Sequence, residues 1–176
     1  MLDALFAKAG TPAFRLIALI VTFAMMCILS GQGAPLRNHH APSGVVSLEL
    51  AGTGKKAHEV VDSWKSPPLR RTAYWQVLLD FIFIAGYTAL LIAVALSAQR
   101  AANAAGLTFL AWAGGLAAYG GLLAGIFDCL ENIGLLAMLA GCINTPVAFL
   151  TSLFATVKFA LAGVVVAIGL LTFVAA

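Results

Sequence analysis

The stretch LTFLAWAGGLAAYGGLLAGIFDCLENIGLLAMLAGC, residues 107–142, decides the fold: 36 residues of apolar and small side chains interrupted by two charges, Asp128 and Glu131. As one straight α-helix it would rise ~54 Å, well beyond the ~30 Å of a bilayer's hydrocarbon. Either its first turns project outward or it breaks, with Gly114, Gly115, Gly120, Gly121 and Gly125 offering flexible points and close-packing surfaces. Downstream, Asn144-Thr145-Pro146 is a turn and helix-start signal, and a fourth apolar segment follows to about residue 174. The two segments therefore read as a tight helical hairpin.

Upstream lie two more segments of spanning length. The first, about 13–34, has an uninterrupted apolar core from Leu16 to Leu29 behind Lys8 and Arg15. Its basic flank and small-residue tail also resemble a signal peptide, although Pro35 crowds the cut and an uncleaved anchor is the preferred reading. The second, about 72–98, is bracketed by Arg70 and Arg71 before it and Arg100 after it, with Tyr74 and Trp75 where an aromatic belt would sit. The whole chain, 1–176, reads as a single membrane domain with spans at about 13–34, 72–98, 107–142 and 146–174 and an extramembrane loop at about 35–71. The predicted class is an all-α integral membrane protein: a bundle of four transmembrane helices with a short extramembrane amphipathic helix.

Composition agrees, at 62% hydrophobic and 10% charged, with a mean hydropathy of +1.01. A soluble domain could not hide so much apolar surface. The net charge of +3 comes largely from Arg37, Lys55, Lys56, Lys65, Arg70 and Arg71 in the connecting stretch, which suits lipid headgroups and not nucleic acid. Cys27, Cys129 and Cys142 are odd in number, lie in or beside apolar runs and include no C-x-x-C, so they read as small buried hydrophobes. Six bases in the loop against Lys8, Arg15 and Arg100 elsewhere favour a cytoplasmic loop. The basic amino-terminal flank favours the reverse, and that orientation is preferred.

Within the apolar runs sit Asp80, Asp128, Glu131 and Lys158, with Asn132 beside them. Ionisable groups there are costly and each marks a site by default. Counting back from Cys142 places Glu131 and Asp128 ~16–21 Å along one helix; counting forward from Pro146 places Lys158 ~18 Å along the next. The charges meet at matching depth. Asp128, Glu131 and Asn132, at i, i+3 and i+4, share one helix face. A pair of Lys158 with Glu131 or Asp128 is the economical expectation, and Asp80, ~13 Å beyond Arg71, is a further candidate for the cluster. Three carboxylates against one ammonium leave two negative charges to be removed by protonation, a cation, a partner's basic group or water. A polar lock that fixes helix packing competes with proton, ion, ligand or partner chemistry, and the lock is the larger expectation.

In the loop, Val46, Leu48 and Leu50 alternate as a short strand-like or extended stretch, and Lys55 to Lys65 reads as a helix. Ala57, Val60, Val61 and Trp64 form a stripe at i, i+3, i+4 and i+7, which suits a helix lying on the membrane surface or a cap packed over the spans. His39, His40 and His58 match no metal template, so no metal is expected. No phosphate-binding, dinucleotide, nucleophile-elbow or zinc-protease motif occurs, nor transmembrane histidines for haem, so no cofactor and no catalytic residues are assigned. The G-x-x-x-G of Gly121 and Gly125 points to helix packing within the chain before dimerisation.

Ala41-Pro-Ser-Gly-Val-Val-Ser-Leu-Glu-Leu-Ala-Gly-Thr53 leading to Trp64, then Asp80-Phe-Ile-Phe-Ile-Ala-Gly-Tyr87, Asp128-Cys-Leu-Glu-Asn132 and Val157-Lys-Phe159 together resemble bacterial four-span inner-membrane proteins that carry no established activity. The resemblance implies that these polar positions belong to one recurrent arrangement that includes the loop element at 45–64. The expected function is that of a structural or accessory membrane protein whose partners are the bilayer and another membrane protein or a second copy. The alternative is a small proton- or cation-coupled carrier or an intramembrane ligand-binding protein. An intramembrane enzyme ranks below both, because no nucleophile, base and orienter are recognisable together.

Overall fold

The computed structural model describes residue 9 and residues 11–176. It is 85% helical, with no strand among the described residues. The first long helix, α1, runs Pro12–Gly33, its proline at a first-turn position where the missing N–H costs nothing. It passes into a 3₁₀ turn, Ala34–Leu36, where Pro35 ends the α-helical ladder. Two short helices follow, α2 (Val45–Glu49) and α3 (Gly54–Ser63). The Thr53 side chain caps α3 by accepting from the Lys56 amide at 3.3 Å. Then come α4 (Pro67–Ala104), α5 (Thr108–Leu139) and α6 (Thr145–Ala175). Helices α1, α4, α5 and α6 are each long and apolar enough to cross a membrane.

One alternative left open by the sequence is decided here and one expectation changes. The 107–142 region does not break: α5 is one helix over Thr108–Leu139, about 48 Å long, because its glycines sit at packing contacts and not at bends. The 45–50 stretch is not extended. Leu48 and Glu49 are buried while Val46 and Leu50 are exposed, so the buried face follows the helical period and the apparent alternation was coincidental.

The chain forms two compact units, one of Met1–Phe23, Ala85–Ile126 and Lys158–Ala176, the other of Ala24–Ile84 and Phe127–Val157. In the first, Leu91, Ile92, Ala95, Ala117, Ala118, Ala124 and Val165 make a core dominated by alanine. Gly114 lets α5 approach α4 so closely that a Cβ there would lie 2.9 Å from the Gln99 backbone nitrogen. Gly121 and Gly125 likewise face Leu91 and Thr88 of α4, so the G-x-x-x-G spacing serves packing within this unit.

In the second unit the apolar stripe of α3 is covered by the chain itself. Ala57, Val60, Val61 and Trp64 share a core with Leu36, Leu48, Val77, Leu135, Met138 and Leu139. The Trp64 indole N–H donates to the Leu36 carbonyl at 2.8 Å, satisfying its one polar atom in that core. Asn38 orders the preceding loop, its Oδ1 accepting from the His40 and Ala41 amides and its Nδ2 donating to Ser63 Oγ. The 49–54 turn is tied to α6: Ser152 Oγ donates to the Glu49 carbonyl at 2.6 Å and accepts from the Gly52 amide at 2.8 Å, and the Gly54 amide donates to Thr145 Oγ1 at 3.2 Å. Asn144 caps α6 through the Val147 amide at 2.9 Å, and the Arg70 guanidinium donates to the Leu139 carbonyl near the end of α5.

Candidate functional site: a polar cavity among apolar helices

Asp128, Glu131 and Asn132 lie on one face of α5 and are buried, Glu131 completely. From α4, Asp80 reaches them: Asn132 Nδ2 donates to Asp80 Oδ2 at 2.9 Å and lies 3.5 Å from the Val77 carbonyl. The bond joins two helices through a neutral donor and a carboxylate, which is stronger than a neutral pair. Asp80, Asp128 and Glu131 each have an interaction partner.

Asp80 and Asn132 also line a cavity of about 210 Å³. Around it the structure assembles residues that the sequence reading did not place at a site: Arg37 from the loop after α1, Glu49 from the end of α2, and Gln76 one turn before Asp80 on α4. Glu49 is 9% exposed at the end of α2, where Ser152 Oγ donates to its carbonyl. Gln76 carried a legible signal, since it stands at i−4 from Asp80 and so shares its helix face. Its Nε2 donates to the Leu29 carbonyl at 2.7 Å, which leaves Oε1 as an acceptor with no hydrogen-bond partner among the described residues. Gly33 makes that placement possible, for a Cβ there would come within 2.9 Å of the Gln76 amide.

The remaining expected residues do not line this cavity. Lys158 is buried at 8% exposure with its Nζ 4.9 Å from the centroid of the Phe159 ring, and it belongs to the other compact unit. Val60, Val61 and Trp64 are core residues of the cavity's own unit, so their stripe meets protein and not lipid. The His39 and His40 rings contact edge to face at 5.4 Å on the exposed loop. Among the described residues no group of three or more His, Cys, Asp or Glu is arranged to hold a metal ion.

Chemically, the cavity offers two carboxylates, one guanidinium, a free amide oxygen and an asparagine already engaged to Asp80. The formal balance of Glu49, Asp80 and Arg37 is one negative charge, and Glu49, like Asp80, has an interaction partner. No family model, characterised protein sequence or solved structure matches the chain.

Proposed function

We propose that this chain is a multi-pass protein of a bacterial inner membrane, a bundle of α1, α4, α5 and α6 capped by α2 and α3, and that its polar cavity binds a small organic cation. The observation that carries this reading is the Gln76 Oε1, buried with no hydrogen-bond partner among the described residues, in a cavity whose lining formally carries one net negative charge, Glu49 and Asp80 against Arg37. An ammonium donates N–H groups and positive charge to just such a set. A volume of about 210 Å³ is below the range of drug-sized pockets, so the ligand is small. The absence of a metal-holding group among the described residues favours an organic ammonium over a metal ion.

Purified protein in mild detergent, heated with methylammonium or ethanolamine, should unfold at a higher temperature as either amine is added, because a ligand selective for the folded state stabilises it. Glu49→Gln should fold and lose that response. A wild-type melting point indifferent to both amines into the tens of millimolar would reject the reading.

A second reading, the structural or accessory one, is supported by the Asn132–Asp80 bond and by the clasp of Arg70 on the Leu139 carbonyl, both of which tie α4 to α5. There the polar side chains lock a scaffold that docks another membrane protein or a second copy. Under that reading Asp80→Asn lowers stability and the amines have no effect.

A further inference from the structure

We infer that the ammonium bound in the cavity belongs to a small amino acid, with Gln76 Oε1 accepting from the ammonium and Arg37 holding the carboxylate. This rests on the reading of the cavity as an ammonium site and names the class of its ligand. Two groups of opposite hydrogen-bonding sense share the lining. Gln76 Oε1 is a buried acceptor without a hydrogen-bond partner among the described residues. Arg37 is exposed, and its guanidinium makes no hydrogen bond or ion pair to a described residue. Asp80, by contrast, is already engaged by Asn132 at 2.9 Å.

The backbone places Arg37 while leaving its fork unengaged. Its amide donates to the Ala34 carbonyl at 3.2 Å and closes the 3₁₀ turn. Gly44, at φ +62°, brings the loop alongside the arginine stem, where a Cβ would lie 3.8 Å from Arg37 Cγ. A guanidinium is a planar fork that matches the two oxygens of a carboxylate. A simple amine meets it only as a like charge, within a space of about 210 Å³. An amino acid supplies an ammonium to the buried acceptor and a carboxylate to the arginine, and as a zwitterion it adds no net charge. A phosphomonoester in place of the carboxylate, at roughly −1.5 to −2 charges, would add to a lining that is already formally negative. Exposure sets the direction: the ammonium lies inward at Gln76 and the carboxylate stays at the mouth with Arg37. The volume keeps the ligand to a short chain.

Thermal unfolding of the purified protein in mild detergent, titrated with matched pairs, tests the assignment: glycine against ethanolamine, and β-alanine against 3-aminopropanol. Within a pair the ammonium and chain length are the same, and a carboxylate replaces a hydroxymethyl group. At least one amino acid should stabilise wild type at about tenfold lower concentration than its amino alcohol, the scale of one charged hydrogen bond. Arg37→Gln should erase that advantage. Arg71→Gln, which removes an exposed arginine outside the lining, should keep it. If the amino alcohols stabilise wild type and neither amino acid does better, the inference is overturned and the ammonium reading stands; silence of all four compounds overturns both. An advantage that survives in Arg37→Gln, as general exclusion of an osmolyte from the surface would give, overturns the inference. So does an equal loss in Arg71→Gln, which would mean that surface charge at large attracts the carboxylate.

Discussion

The unit of Ala24–Ile84 and Phe127–Val157 and the unit of Met1–Phe23, Ala85–Ile126 and Lys158–Ala176 draw on the same apolar helices but are held by different interactions. The first closes on a buried tryptophan, hydrogen bonds between distant segments and a polar cavity. The second closes on alanine and glycine contacts that let backbones approach. Hydrophobicity alone does not drive apolar helices together in lipid, so a membrane protein must rely on close small-residue packing or on polar contacts. Both devices occur in this chain, with polar contacts more prominent in the one unit and small-residue contacts in the other. Polar contacts are directional and hold side chains around an open cavity in the one unit, whereas small-residue packing brings backbones together in the other.

The sharpest way to break that contrast is Trp64→Ala. It empties the largest fully buried side chain of the polar unit and leaves the Leu36 carbonyl without its donor, for an expected loss of about 4 kcal/mol. Equilibrium unfolding should show it, and a loss under ~1 kcal/mol would mean that the cap of α3 contributes little.

Next is the charge pair expected from the residue count. If Lys158 pairs with Glu131 as the count expects, Lys158→Met alone should cost about 3 kcal/mol and combining it with Glu131→Gln should recover most of that. Strictly additive losses in the double variant would remove the pairing.

The small-residue unit has its own test in Gly114→Ala. The new methyl meets Gln99 backbone at 2.9 Å, which cannot swing aside, so α4 and α5 must separate at a cost of about 1–3 kcal/mol. A neutral result would show that this contact is looser than the geometry implies.

The smallest effect has the opposite sign. Gly31→Ala, in α1 with nothing within 4 Å of the added Cβ, should stabilise by roughly 0.5–1 kcal/mol through helix propensity. Against Gly114→Ala it separates a glycine kept for contact from one that is not.

Much of the fold is readable along the chain because hydropathy and helical period are local. The four long helices, the helix start at Asn144, and the i, i+3, i+4 face of Asp128, Glu131 and Asn132 all follow from residues within a turn or two of one another. The short 45–50 element misled because six residues are too few to separate a period of 2 from one of 3.6 when both faces contain leucine and valine.

By itself, then, the sequence determined an apolar helical chain with costly charges at stated depths and an amphipathic α3. Only the tertiary structure decided which charges share a cavity. Glu49 and Asp80 are 31 residues apart, and nothing local in either neighbourhood requires them to meet; their approach depends on the Asn38 loop, the Ser152 clasp and the burial of Trp64. The same holds for Arg15 and Ser97, joined across 82 residues by one hydrogen bond. Secondary structure responds to neighbours in sequence, whereas a binding site depends on loop closure and packing, which bring together residues that have no reason to be adjacent until the core forms.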